Sequence, residues 1–229
     1  MIHGSLCRHR LWDEQLTLTN HAQLIRLDLP GHGESEPLEG AITIERFARI
    51  VAQLIQKLGL KTVVPVGHSL GGAVALQLAL DYSSLLKGLI LIGTGAKLGV
   101  LPAILEGLRT DFSRGVELSI GQLGFAEGAA PNLIEFAKTE CLRCDSTIGY
   151  QDFVACNAFD MRNRIHEVAL PTLVVVGDED QLTPVKWAAY LADKITNAQL
   201  KIIPQAGHFV MLERPDEVNQ AIIDYLQQV

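Results

Sequence analysis

The sequence predicts an α/β fold in which a mostly parallel sheet is covered by helices on both faces. Three observations predict it: short runs of Val, Ile and Leu with little polar alternation, helical periodicity between those runs, and a small-residue turn joining one run to the helix that follows. Continuous apolarity marks a strand buried on both faces, which is the condition of a parallel strand between helical layers. The alternation of strand and helix then selects the doubly wound class.

The runs read as strands are Gln23 to Leu29, Thr62 to Val66, Gly88 to Gly93, Thr172 to Val176 and Leu200 to Pro204. After the first of them, Ile44, Phe47, Ala48, Val51, Leu54, Ile55 and Leu58 recur at i, i+3, i+4, i+7 and predict a helix with one apolar face. After the second comes a Gly-rich turn and the apolar helical run Ala73 to Leu80. Between Lys97 and Ala169 the alternation stops. Helical periodicity, Gly-rich breaks from Gly121 to Gly128 and scattered aromatics predict an inserted helical cap over 97–169, set into a core made of 1–96 and 170–229. Pro215 suits a first helical turn, and Val218, Ala221, Ile222, Tyr225 and Leu226 continue it as a final helix.

Composition narrows the function classes. A chain of 229 residues, 48% hydrophobic and 20% charged, fits one ordinary globular domain, or one domain carrying an insertion. With a net charge of -7 and scattered Lys and Arg, it has no electrostatic footprint for nucleic acid or anionic lipid. No apolar run approaches the roughly 20 residues of a membrane span, and the first residues lack a secretory pattern, so a cytoplasmic location is expected. Cys7, Cys141, Cys144 and Cys156 lack the spacing of a disulfide framework and read as reduced thiols. The Cys141-x-x-Cys144 pair has no second pair or close His, and reads as core or helix-surface thiols rather than a metal site. Neither a metal nor an organic cofactor is called for, and nothing in the sequence locates a subunit interface.

The chemistry centres on Gly67-His-Ser-Leu-Gly-Gly72. A nucleophilic serine needs its oxygen pushed out at a sharp strand-to-helix turn, where only small residues fit two positions to either side, and Gly67 and Gly71 meet that need around Ser69. The helix that starts there aims its N-terminal N–H groups and positive dipole end at the site, which makes Leu70 N–H the natural first oxyanion donor. A serine hydroxyl also needs a base, and the base an orienting acid. Of the histidines after Ser69, His208 follows the last apolar run directly, whereas His166 lies in a polar stretch closing the cap; His208 is preferred. At the carboxyl end of Thr172 to Val176, where active sites of open α/β sheets lie, Asp178, Glu179 and Asp180 all qualify as the acid.

These features resemble the α/β-hydrolase superfamily over nearly the whole chain. His3-Gly4-Ser5 resembles its H-G-x loop, Asp28-Leu-Pro-Gly-His-Gly-Glu-Ser35 its D-x-P-G-x-G-x-S loop, and Gly177-x-x-Asp180 its acid loop, and the order Ser, Asp, His is the superfamily's. The resemblance implies the α/β-hydrolase fold, Asp180 as the acid and Ser5 N–H as second oxyanion donor. His3 is expected to hold the oxyanion loop by hydrogen bonds, Trp12 to pack beneath it, His32 to be structural, and His68 to be structural and to point away from the nucleophile. In the superfamily the H-G loop follows two antiparallel strands and a central third strand. Here only Met1 and Ile2 precede His3, so upstream residues are expected in the natural protein.

The expected activity is hydrolysis of a small or medium carboxylic ester or thioester through an acyl-enzyme, carboxylesterase-like, with a small-molecule ester as partner. Carbon–carbon bond hydrolysis and perhydrolysis use the same triad in the superfamily and stay open. So does a slow or non-catalytic ligand-binding receptor on the same fold. Leu101, Ile104, Leu105, Phe112, Phe125, Phe136, Phe153, Phe159 and Met161 are expected to shape the cap, more as its own core than as pocket wall.

Overall fold

The computed structural model describes residues 1–229. A parallel sheet of order β1-β2-β3-β4 is formed by β1 (Val66–His68), β2 (Leu89–Ile92), β3 (Thr172–Gly177) and β4 (Ala198–Ile203). All residues of β1, β2 and β3 are buried, as their unbroken apolarity predicts, whereas β4 is the edge strand and exposes Leu200 and Ile202.

Side chains alternate between two cores. Leu89, Leu91, Val174 and Val176 pack with α1 (Ile44–Lys57), α2 (Leu70–Asp81) and α7 (Val185–Lys194) on one face. Ile90, Ile92, Leu173 and Val175 pack on the other with α8 (Val210–Glu213), α9 (Pro215–Leu226) and a kinked run of 3₁₀ turns over His9–Asn20. Helix α1 begins at Thr43, whose hydroxyl accepts from Arg46 N–H, and turns Ile44, Phe47, Ala48, Val51 and Ile55 inward. Pro215 opens α9 as expected.

Two predicted strands are shorter than the sequence suggests. Gln23 to Leu29 forms only a single bridge, Ile2 to Leu27, and Thr62 to Val66 enters the sheet at Val66, apart from an isolated bridge from Val63 to Leu86. The reason is the neighbour. Ile2 lies between the two segments, bridging Leu27 on one side and Gly67 on the other; its N–H donates to Val66 O at 2.7 Å, and its carbonyl accepts from His68 N–H at 3.1 Å. A run with a partner at one position is not a ladder. Beside Ile2 is an apolar cavity of about 330 Å³ walled by residues such as Leu24, Leu27, Leu54, Val64 and Val66.

Between β2 and β3 the chain leaves the sheet and builds α3 (Pro102–Thr110), α4 (Phe112–Val116), a π-helical turn at Glu117–Gln122, α5 (Pro131–Cys141) and α6 (Ser146–Ala158). It departs and returns at one place: Lys97 bridges Asp160, and Met161 N–H donates to Ala96 O at 2.7 Å. Ile104, Ile120, Phe125 and Phe153 from this segment share one continuous core with Ile92, Val175 and Phe209.

Candidate active site

Ser69 stands at the junction of β1 and α2 with φ 52° and ψ -116°, a left-handed backbone for a non-glycine residue. The surroundings enforce it: Ser69 N–H donates to Ile92 O at 3.0 Å, and Thr94 Oγ1 donates to Ser69 O at 2.9 Å. Room for so sharp a turn exists only because of the flanking glycines. A Cβ on Gly67 would lie 2.2 Å from Gly71 O, and one on Gly71 would lie 2.3 Å from Ile2 O. Leu70 is the first residue of α2, so its N–H has no intrahelical acceptor.

His208 lies in the loop between β4 and α8. Its Nδ1 donates to Asp180 Oδ2 at 2.9 Å and lies 3.2 Å from Thr183 Oγ1. An acceptor-only carboxylate fixes the proton on Nδ1 and leaves the Nε2 lone pair free. Asp180 is nearly inaccessible and accepts from Leu182 N–H at 2.9 Å, Thr183 N–H at 2.7 Å and Thr183 Oγ1 at 2.7 Å. Burial alone would push this carboxyl up, but His208 and the Thr183 donors together outweigh it and hold the group below its ordinary range. Asp178 points elsewhere, its carboxylate meeting Ala206 N–H at 3.5 Å.

Ser5, Ser69 and His208 line one cavity of about 210 Å³. Ser69 Oγ and His208 Nε2 share it without a direct hydrogen bond, the loose arrangement common before a substrate is bound. The remaining wall is mainly apolar, with Leu98, Val100, Leu101, Ile104, Ile120, Phe153 and Phe209, and has Cys156, Gln181 and Thr183 as polar points. No Lys or Arg is among the lining residues. Of the apolar residues the sequence suggested for the cap, Leu101, Ile104 and Phe153 reach this wall, while Phe159 and Met161 pack in the core and Phe136 is partly exposed.

His3 is a bracket, its Nδ1 donating to Gly4 O at 2.8 Å and its Nε2 accepting from Leu29 N–H at 2.9 Å; burial lowers its pKa to about 3. His68 has a structural role, as expected, but does not point away from the site. Its ring lies 4.6 Å from that of His208 and lines the same cavity, with Nε2 donating to His208 O at 3.0 Å. Burial, then the neighbouring His208, hold it well below the usual imidazole range, so it is a neutral support for the His208 backbone. Trp12 is fully buried, as expected. Cys141 ends α5, with Cys7 Sγ 3.9 Å from its Sγ, and no cluster of three or more His, Cys, Asp or Glu is placed to hold a metal ion.

Thr183 was not legible as a site residue. Its signal is the Asp180-x-x-Thr183 spacing, in which an aspartate can gather the N–H groups of the two residues beyond the next in an Asx-type turn.

A strained serine at a strand-to-helix turn, opening on an imidazole oriented by a carboxylate, defines an α/β hydrolase on this fold. The chain matches the Alpha/beta hydrolase family over residues 1–221 and belongs to it. It is similar to a thermophilic esterase of known structure, with 36% identity and a TM-score of 0.88 over 99% of this chain and 88% of that one. It is 29% identical over 226 residues to a pimeloyl-[acyl-carrier protein] methyl ester esterase of Yersinia enterocolitica, covering 92% of this chain and 85% of the relative. A 2-hydroxy-6-oxo-6-phenylhexa-2,4-dienoate hydrolase of Comamonas testosteroni is 27% identical over 226 residues, covering 90% and 77%. No helix is long and apolar enough to cross a membrane.

Proposed function

We propose that the protein is a serine esterase acting on small or medium neutral carboxylic esters or thioesters through an acyl-enzyme. Ser69 attacks the carbonyl, His208 Nε2 takes its proton, Asp180 holds the imidazole in the required tautomer, and the N–H groups of Leu70 and Ser5 receive the oxyanion. His208 then protonates the leaving group, and water repeats the cycle on the acyl-enzyme. Residues 97–169 act as the cap over this site. The Lys97 to Asp160 bridge supports the start of that cap against a core of 1–96 and 170–229, while Met161, Ile165 and Val168 already pack with the core, which favours an end nearer Asp160.

The observation that carries the reading is the bond from His208 Nδ1 to Asp180 Oδ2 at 2.9 Å, which orients Nε2 into the cavity that Ser69 lines. The absence of Lys and Arg from the cavity wall favours neutral acyl groups over the dienoate acids named for the Comamonas relative, because a buried carboxylate without a cation is costly. Carbon–carbon bond hydrolysis is therefore the second reading.

A panel of p-nitrophenyl esters from acetate to decanoate, with hemi-esters of diacids beside them, tests this. The expected result is turnover of neutral chains, lost in Ser69→Ala, with kcat/KM at least about tenfold lower for the hemi-esters. Preference for the diacid esters would overturn the neutral-substrate reading. Saturable binding without turnover would favour a receptor.

A further inference from the structure

Apart from His208 with Asp180, the molecule buries one other histidine–carboxylate pair, His32 with Asp152, at 2.8 Å from Nε2 to Oδ2 with the two side chains 1% and 0% exposed. Asp152 lies on α6, and His32 lies in the loop after Leu29, where its Nδ1 donates to Pro30 O at 3.2 Å. The same Asp152 Oδ2 accepts from Leu6 N–H at 3.1 Å. Leu6 is the third residue of the turn Gly4 to Cys7, which is closed by Cys7 N–H to Gly4 O at 3.2 Å.

The φ of Leu6 is 65°. Glycine or asparagine adopts that conformation readily at this turn position, and leucine does not. Such a residue persists only where its surroundings over-determine it. Asp152 supplies the acceptor that fixes the Ser5–Leu6 peptide, and the close approach of α6 supplies the wall: a Cβ on Gly149 would lie 2.4 Å from Leu6 Cδ2. Burial opposes a charge on His32, but Asp152 beside it outweighs burial and raises the imidazole pKa to about 11. A formal positive charge thus stands behind the carboxyl group that grips the turn.

We propose that Asp152, backed by His32, is a positioning residue for the oxyanion hole: the cap helix fixes the turn that carries Ser5, and the hole is complete only while α6 is docked. The proposal rests on the reading of Ser5 N–H as an oxyanion donor.

The test compares kcat, KM and inhibition by a trifluoromethyl ketone, whose carbonyl accepts Ser69 Oγ to give a hemiketal oxyanion in the same hole. Full-length Asp152→Ala and the isosteric Asp152→Asn are used, with active sites titrated. For Asp152→Ala, kcat should fall by about 100-fold with KM little changed, since loss of one oxyanion donor lowers kcat by about 10²–10³. The inhibitor's Ki should weaken by a similar factor, and Asp152→Asn, which keeps an acceptor, should fall between. A lower kcat with unchanged Ki would mean that Asp152 only anchors the helix, and would overturn the proposal, as would kcat and Ki both within twofold of wild type. Should Asp152→Ala fail to fold, Asp152→Asn carries the same comparison: Ki moving with kcat supports the proposal, and a flat Ki overturns it. Wild-type protein without turnover or inhibition overturns the serine-esterase reading itself, whereas an active wild type with unmoved variants overturns this proposal alone.

Discussion

Ser69 keeps its left-handed backbone because Gly67 and Gly71 leave it no obstruction, and this makes the glycines as consequential as the serine. Gly67→Ala would place a methyl group 2.2 Å from Gly71 O. It should destabilise the fold by about 1–3 kcal/mol and displace the elbow, which thermal melting and ester turnover measured on the same sample will check. Replacement of Ser69 or His208 by Ala should lower kcat by about 10⁶, the scale seen when residues that act as a unit are broken. Asp180→Asn should cost about 10⁴ through the wrong imidazole tautomer, and Asp178→Asn far less; the reverse order would reassign the acid. At this scale the sequence is most legible where chemistry needs a particular residue in a tight turn, as at Gly67 to Gly71; among Asp178, Glu179 and Asp180 only the resemblance to the superfamily singled out Asp180. Asp152 and the bond by which His68 supports His208 were not legible, because each depends on which distant segment its side chain meets, whereas Thr183 carried a local signal in its spacing from Asp180.

Among elements, α6 and the loop carrying His32 are joined by a charged pair inside the protein. The folded state holds the His32 proton up to a pKa of about 11, while the unfolded chain releases it near the model-peptide value of about 6.5. The folded state therefore binds more protons between those limits. The stabilisation is complete below about pH 6.5 and fades as pH rises towards about 11. His3, with its ring 4.8 Å from that of His32, remains neutral throughout, having been pushed down to about 3. Melting temperature followed from pH 6 to 10 should show a downward slope that is reduced in Asp152→Asn; an unchanged slope in the variant would assign it to other groups. Periodicity revealed α1 and α9 nearly to their ends. Continuous apolarity marked α2 as Ala73 to Leu80, within its bounds Leu70–Asp81. It overstated Gln23 to Leu29, because an apolar run is a strand only where a neighbour offers a ladder, and here Ile2 alone does so on that side.

Over the whole molecule, the inserted helices have no core separate from that of the sheet. Ile104, Ile120 and Phe153 join Ile92, Val175 and Phe209 in one apolar cluster, so the inserted helices and the sheet should unfold together in a single calorimetric transition. Two separate transitions would show an independently stable cap. Phe47, fully buried on α1, belongs to the opposite core, and Phe47→Ala should cost about 3–5 kcal/mol in denaturant unfolding. The fold class was readable from strand-helix alternation because both faces of a parallel sheet must be apolar. The pocket wall was not, since Leu98, Val100 and Phe209 converge only after the chain leaves the sheet at Lys97 and returns at Asp160.

The central claim is that Ser69 is an activated nucleophile. Incubation of the full chain with a p-nitrophenyl alkylphosphonate, followed by intact-mass and peptide analysis, tests it most directly. The expected result is stoichiometric release of p-nitrophenol with the phosphonyl group on Ser69, abolished in Ser69→Ala and strongly slowed in His208→Ala. A folded protein that stays unlabelled, or that is labelled elsewhere at an undiminished rate in Ser69→Ala, would contradict it.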